Sequence, residues 1–155
     1  MSSSSRLNYR EAASEAMRPM LALEESFAHS MIPLALRELV KLRASQINGC
    51  AYCLDMHAPA ARRAGVSTQK LDVLPAWRES PAFDARERAA LGWCEALTRI
   101  EASGAPDAEY AALEAAFNAR ECVELTLVIT TINAWNRIAV GFRSVHPLRE
   151  PVDAA

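Results

Sequence analysis

Apolar residues recur every three or four positions along nearly the whole chain, which is the spacing of amphipathic α-helices. Taken in chain order, the predicted helices cover residues 9–29, 33–49, 50–65, 67–74, 84–100, 106–118 and 121–143. We find no internal repeat and no segment with the composition of a linker. The pattern therefore predicts an all-α fold, with residues 1–155 forming one domain.

Residues with special backbone preferences set the expected ends of these helices. Pro19 is expected to kink or divide the first helix, because proline lacks the N–H that an interior position donates. Asn48-Gly49 is a typical left-handed end for the second helix, so the third begins at Cys50. Ser67 and Asp84 are predicted N-caps, and Pro75 is predicted to end the short helix that starts at Ser67.

The last segment, residues 121–143, has the most ambiguous pattern. Its run from Val128 to Ile132 is rich in β-branched residues and could form a buried strand. However, about twenty residues without a turn signal are too long for a strand, so we predict a central helix that is apolar on most sides. The polar residues that argue against a lipid-facing helix are Glu124, Asn133, Asn136 and Arg137.

Composition and charge exclude several classes of partner. The chain is 51% hydrophobic and 23% charged and has 5 glycines, as expected for a folded globular protein. Its net charge is −2, and the basic residues are almost all arginines that are scattered along the sequence. Without a basic tract or a positive balance, we expect no nucleic acid and no anionic membrane surface as partner.

The N-terminal sequence MSSSSRLNYREAAS has no apolar core of the kind that secretory signals contain. No window of 18 or more apolar residues is present either, so we expect no membrane span and a cytoplasmic location. In that reducing compartment, four cysteines are an unusual basis for a structural disulfide framework. Closely spaced cysteines there more often bind metals or carry out redox chemistry.

Two thiols and an imidazole stand together in the sequence INGCAYCLDMH, residues 47–57. If a helix begins at Cys50, then Cys50, Cys53 and His57 lie on one face, because they are spaced by three and four residues. Both sulfurs fall in the first turn, where unpaired N–H groups and the helix dipole stabilise a thiolate. The spacing also allows a disulfide, and His57 can exchange a proton with Cys53.

The cysteine pair could instead form half of a metal site, or it could be inert and buried. A structural zinc ion needs four ligands, and the remaining candidates show no matching spacing; they are His29, Cys94, Cys122 and His146. We favour redox chemistry and expect neither a metal nor a cofactor. Cys94 and Cys122 are expected to act as small buried hydrophobic residues.

A catalytic imidazole works better when a third group orients it. Glu38 lies at the edge of the apolar face of the second predicted helix, where its carboxylate would be partly buried and close to the next helix. Spacing alone does not favour Glu38 over Arg37 or Lys41, so the residues themselves leave this choice open.

The chain also resembles a known family. Glu38 is followed twelve residues later by Cys50, then by Cys53 three residues on and His57 four beyond that. This four-point spacing is similar to the signature of the alkylhydroperoxidase AhpD-like proteins, which belong to the carboxymuconolactone decarboxylase superfamily. The stretch INAWNR, residues 132–137, also resembles a recurrent sequence of these proteins. The resemblance is strong over residues 31–65 and looser over residues 121–143.

The resemblance implies a helical protein that assembles as a trimer or hexamer and acts as a thiol-dependent peroxidase or disulfide reductase. It implies that Cys53 attacks a peroxide, that Cys50 then closes a disulfide, and that an external dithiol reduces the pair. Glu38 and His57 would form the proton relay. The founding proteins have a second histidine where this chain has Tyr52, whose phenol can donate a hydrogen bond but is no base at neutral pH.

Further polar residues near these positions are expected to line the site: Tyr52, Asp55, Asn133, Asn136 and Arg137. Two alternative functions remain open. One is the lactone decarboxylation for which the superfamily is named, a reaction that needs no thiol pair. The second is a non-enzymatic redox sensor or assembly protein, in which the disulfide acts as a conformational switch.

Overall fold

The computed structural model describes residues 4–149 of the chain, and in this range it contains α-helices and 3-10 turns but no strand. The helices are α1 (Tyr9–Ala12), α2 (Ser14–Ser26), α3 (Leu34–Ile47), α4 (Ala51–Arg63), α5 (Thr68–Val73), α6 (Ala85–Thr98), α7 (Ile100–Ser103), α8 (Asp107–Ala116) and α9 (Ala119–Gly141). Two 3-10 turns, Phe27–His29 and Leu74–Ala76, follow α2 and α5. The predicted all-α class is confirmed.

Helix α3 is the centre of the fold, since it packs against α4, α6 and α9. Its buried Leu36 and Val40 belong to a core that α6 and α9 complete. Leu39 and Leu42 face a second, smaller core beside α5. Burying each such aliphatic side chain contributes about 1.5–3 kcal/mol. The helix that carries Glu38 is therefore held on three sides, which fixes its position relative to α4.

Pro19 does not divide the first predicted helix, because the division falls earlier in the chain. The chain leaves helical geometry at Ala13, with φ −143° and ψ 50°, and Pro19 lies inside α2. Proline at this position removes one helical hydrogen bond. Helix α2 has no buried residue, so water can bind the carbonyl that this loss leaves without a donor. Exposure explains why α2 tolerates its proline.

The remaining predicted boundaries are nearly correct. Ser67 and Asp84 are N-caps, and Asp84 forms a capping box with Glu87. The short helix α5 ends at Val73, one residue before the predicted end. Pro75 lies within the 3-10 turn that follows it. Ile100, expected on the apolar face of α6, instead starts α7 and is exposed.

The ambiguous last segment is a single helix of 23 residues, α9, so the strand alternative is excluded. Asn118, predicted to end α8, caps α9 instead through a capping box with Glu121. Within residues 4–149, no helix combines the length and apolar character needed to cross a membrane.

Candidate active site

The α3–α4 turn sets the position of the first cysteine. Helix α3 ends at Ile47, and Gly49 takes a left-handed φ of 64°, a conformation that glycine adopts without a steric penalty. The Cys50 N–H then donates to the Ser45 carbonyl over 3.0 Å. This hydrogen bond reverses the chain direction, so that α4 starts directly beside the end of α3.

Cys50 is the N-cap of α4, and Cys53 lies in its first turn, as the sequence predicts. The two cysteines form a disulfide, with their Cα atoms 5.4 Å apart. The Cys53 N–H points at Cys50 Sγ over 3.3 Å. When the disulfide is reduced, this N–H and the positive helix end favour a thiolate at Cys50, and the same helix end favours one at Cys53. Both residues are only 1% exposed.

Glu38, and neither Arg37 nor Lys41, orients the imidazole of His57. Glu38 Oε2 lies 2.8 Å from His57 Nδ1, and the two residues are 5% and 8% exposed. A carboxylate accepts a hydrogen bond from a protonated Nδ1, which leaves Nε2 as the ring nitrogen that can exchange protons. Since His57 is one turn after Cys53 on α4, the acid–imidazole pair and the two sulfurs share one side of this helix.

Lys41 extends this pair into a chain of charges that ends at the partly exposed Glu24, which sequence reasoning missed. Its ammonium group forms an ion pair with Glu24 of α2 and lies 4.0 Å from Glu38 Oε1. Lys41 is 5% exposed. The three-residue spacing of Glu38 and Lys41 could have suggested that they meet, but nothing local indicates that α2 supplies a second carboxylate.

Side-chain amides of α9 form hydrogen bonds to the turn that precedes Cys50. Asn48 Nδ2 donates to the side-chain oxygens of Asn133 and Asn136, over 2.9 Å in each case. Asn136 Nδ2 in turn donates to Ser45 Oγ over 3.0 Å. Arg137 donates to the backbone and side-chain oxygens of Asn133. These hydrogen bonds join α9 to the α3–α4 turn, so they hold in place the backbone that leads to Cys50.

Two more predicted lining residues, Tyr52 and Asp55, lie on α4 itself. Tyr52 is half-buried against the core that contains both cysteines. Asp55 accepts a hydrogen bond from Arg149 over 2.9 Å, and this contact holds the C-terminal segment against α4. Across residues 4–149, no three histidine, cysteine or acidic side chains are grouped so as to hold a metal ion.

An all-helical fold with a disulfide at a helix start and a buried carboxylate–imidazole pair defines a class of helical thiol–disulfide proteins. The profile of the carboxymuconolactone decarboxylase family matches residues 14–96. This chain therefore belongs to the carboxymuconolactone decarboxylase family, as an AhpD-like member.

Its relatives include proteins of unassigned role. The uncharacterized protein YdfG of Bacillus subtilis (strain 168) is 39% identical over 89% of this chain and 94% of its own length. The uncharacterized protein YnjA of Escherichia coli (strain K12) is 37% identical over 60% of this chain, but over only 50% of its own length.

Solved structures support the same fold. A protein of unknown function from Agrobacterium tumefaciens, ATU0492, provisionally assigned as the antioxidant defence protein AhpD, is 46% identical with a TM-score of 0.91. That match covers 94% of this chain and 100% of the Agrobacterium chain. The debrominase Bmp8 matches with a TM-score of 0.79 over 88% of this chain and 74% of its own. Its 19% identity makes this a likeness of fold alone.

Proposed function

We propose that this protein is a thiol-dependent peroxidase or disulfide reductase with an antioxidant role. The observation that carries the proposal is the buried hydrogen bond between Glu38 and His57, one helical turn from the disulfide of Cys50 and Cys53. A nucleophile, a second thiol and an oriented base are the groups that such chemistry requires. The AhpD assignment of the Agrobacterium protein supports the same class of activity.

In the proposed cycle, the Cys53 thiolate attacks the terminal oxygen of a peroxide, and the O–O bond breaks. The leaving alkoxide or hydroxide takes a proton from His57, whose positive charge Glu38 stabilises. Cys53 is then a sulfenic acid, and the Cys50 thiolate condenses with it to form the disulfide. The hydroxide that leaves takes a proton from solvent and becomes water. An external dithiol gives two electrons and resets both thiols.

We also propose how the chain is organised, where it acts and how it assembles. The 155 residues form one domain that acts in the cytoplasm, where reductants keep the pair cycling. The protein is a homo-oligomer, either trimer or hexamer. Exposed apolar side chains of α9 support this expectation, since a patch of this kind is commonly covered by another subunit; they include Val123 and Leu127, four residues apart on one face of the helix.

The experiment that tests the proposal follows peroxide consumption by the purified protein with a dithiol as the electron donor. We expect catalytic turnover that thiol alkylation after reduction abolishes. Reduced protein given one equivalent of peroxide without the dithiol should lose two hydrogens per chain. Reversible oxidation without turnover would identify a redox sensor instead. An activity that alkylation leaves intact would favour lactone decarboxylation.

The variant Glu38→Gln isolates the proton relay. An amide of the same shape keeps contact with His57 but cannot stabilise an imidazolium, so turnover should fall by about a hundredfold. Lys70→Met, which removes a charge from the separate ion pair with Glu87, serves as the control and should keep wild-type turnover. Equal rates for Glu38→Gln and the wild type would contradict the assigned relay.

A further inference from the structure

An open groove of about 680 Å³ borders the cysteine pair. It lies between the start of α4 and the end of α9, and its walls include Tyr52, Val140 and Val145. Cys50 is one of its lining residues, whereas Cys53 is not. Both cysteines are 1% exposed, and Cys50 is the one of the two that borders the groove, so a reagent bound there lies against Cys50.

The groove has an arginine at its rim and an apolar wall. Arg143 and His146 both line it, and among the described lining residues none is acidic. Asp55, a carboxylate near the start of α4, is already paired with Arg149. A ligand that fits these surroundings has an apolar body and an anionic group.

The backbone at Arg143 gives a second, independent reason to consider this residue. Arg143 follows the end of α9 in a left-handed conformation, with φ 53°, and the next N–H, of Ser144, closes the turn on the Ala139 carbonyl. Glycine is the residue that this position ordinarily favours, because a side chain is strained there. Strained residues of this kind concentrate at functional sites. An arginine here keeps a guanidinium at the groove at a cost to stability.

We propose that this groove is the docking site of the external reductant, and that the reductant is a dithiol with a carboxylate or similar anionic group. The inference rests on the proposed function and adds to it the site and charge class of the second substrate. Arg143 is its recognition residue, and Cys50 is the sulfur that the reductant attacks.

The electron balance of this step is complete. A thiolate of the dithiol attacks Cys50 Sγ, the Cys50–Cys53 bond breaks, and Cys53 leaves as a thiolate that can take a proton from the His57 side. The second thiolate of the reductant then attacks the reductant's own sulfur in the mixed disulfide and releases Cys50. The reductant is oxidised by two electrons to a disulfide, and the protein disulfide is reduced.

The first test uses variants that retain one thiol of the pair. Cys53→Ser leaves Cys50 free, and Cys50→Ser leaves Cys53 free. Both are treated with the anionic 5,5′-dithiobis(2-nitrobenzoate) and with the cationic cystamine, and mixed-disulfide formation is timed. We expect Cys53→Ser to react faster with both reagents, by about tenfold or more with the anionic one. Equal or faster reaction of Cys50→Ser overturns the proposal.

The second test changes Arg143 in the Cys53→Ser background. Arg143→Ala should lower the ratio of anionic to cationic rates by about fivefold, since one charge a few ångströms away is worth about that factor in water. High salt should remove the difference. Arg63→Ala, which deletes an exposed charge at the far end of α4, is the matched control and should leave the ratio unchanged.

Arg143→Gly separates recognition from structure. Glycine relieves the left-handed backbone, so the melting temperature should stay the same or rise while the anionic preference is lost. A lower melting temperature with an unchanged reagent ratio assigns Arg143 to the fold and overturns the proposal. None of these measurements uses peroxide, so failure of the groove and failure of the peroxidase activity can be told apart.

Discussion

The four cysteines fall into two environments that are equally buried and chemically opposite. Cys50 and Cys53 are each 1% exposed, while Cys94 and Cys122 are 0% and 7% exposed. Cys94 lies in the middle of α6, where its thiol donates to the Val40 carbonyl over 3.4 Å. Burial raises the pKa of Cys94 to about 12. A thiol that stays protonated in this way is a small hydrophobic residue.

The difference shows that burial alone does not decide what a cysteine can do. At the start of α4, free N–H groups replace the water that a thiolate loses, and a partner sulfur and an oriented imidazole lie close by. In the middle of α6 the helical N–H groups are already used. The position along the helix therefore separates the reactive pair from Cys94. Cys122 lies in the first turn of α9 but has no partner sulfur, and its N–H already donates to the Asn118 carbonyl.

The largest effect is expected where the two environments differ most. The same substitution at the two kinds of site, Cys53→Ser and Cys94→Ser, should give opposite results for activity. Loss of the attacking thiol should lower peroxide turnover by roughly a thousandfold or more, whereas Cys94→Ser should keep it within about twofold. Steady-state assays at one protein concentration decide this. Comparable losses in both variants would mean that turnover does not depend on the α4 pair.

Charged side chains around Glu38 distinguish the reactive region from the apolar core. Lys41→Met leaves the carboxylates of Glu24 and Glu38 near each other without their common cation. Lys41 and Glu38 are buried and Glu24 is partly exposed, so losing the cation should lower the free energy of unfolding by about 2 kcal/mol. Urea denaturation followed by circular dichroism measures the change.

Lys70→Met is the matched control for Lys41→Met. Lys70 pairs with Glu87 at a partly exposed site, so its loss should cost about 1 kcal/mol or less. If the two lysine variants lose the same stability, then the charges around Glu38 are less buried in solution than the structure describes.

A smaller effect is expected from the amide cluster behind the cysteines. Asn136→Ala removes two hydrogen bonds and leaves the polar atoms of Ser45 and Asn48 without these partners. The cost should be about 2 kcal/mol of unfolding free energy. The reduced pair should also close its disulfide more slowly, because the turn is less firmly held.

An exposed residue of the same helix provides the control for Asn136→Ala. The Thr130 hydroxyl donates to the Leu127 carbonyl within α9, so Thr130→Ala should leave both stability and the rate of disulfide closure nearly unchanged. Equal closure rates in Asn136→Ala and the wild type would show that the turn needs no support from α9.

Sequence reasoning succeeds for features that depend on neighbouring residues. The Cys50–Cys53–His57 face requires only that a helix begin at residue 50, and Gly49 ensures this start. The choice of Glu38 requires more, because it depends on how α3 lies beside α4. Residue spacing leaves that choice open, and the family resemblance indicates the carboxylate that the structure places at His57.

Features that depend on distant segments escape prediction from sequence. Glu24 reaches Lys41 only after α2 has packed against α9, and Asn48 meets Asn133 and Asn136 across 85 and 88 positions of the sequence. The sequence places Asn133 and Asn136 among the lining residues, but their hydrogen bonds support the turn that carries Cys50. Periodicity identifies which face of a helix is buried, and it does not identify which polar atoms meet there.

The smallest effects concern the reactivity and titration of the two kinds of thiol. After mild reduction at about pH 8, where a thiol of ordinary pKa is partly ionised, iodoacetamide should add two alkyl groups per folded chain, and mass mapping should place them on Cys50 and Cys53. Cys94 and Cys122 should react only after denaturation. Burial, with the charges of Glu114 and Glu121, also raises the pKa of Cys122. Rapid modification of Cys94 in the folded protein would contradict this division.

The raised pKa of Cys94 has a consequence for stability with a definite sign. Since the folded pKa of Cys94 lies at about 12, above its ordinary value of 9.0, the folded chain holds this proton more tightly than the unfolded chain. The stabilisation is complete below about pH 9 and declines as the pH rises towards about 12. The stability difference between the wild type and Cys94→Ala should therefore shrink over this range in urea titrations. No such convergence is expected below about pH 8, where both states keep the thiol protonated.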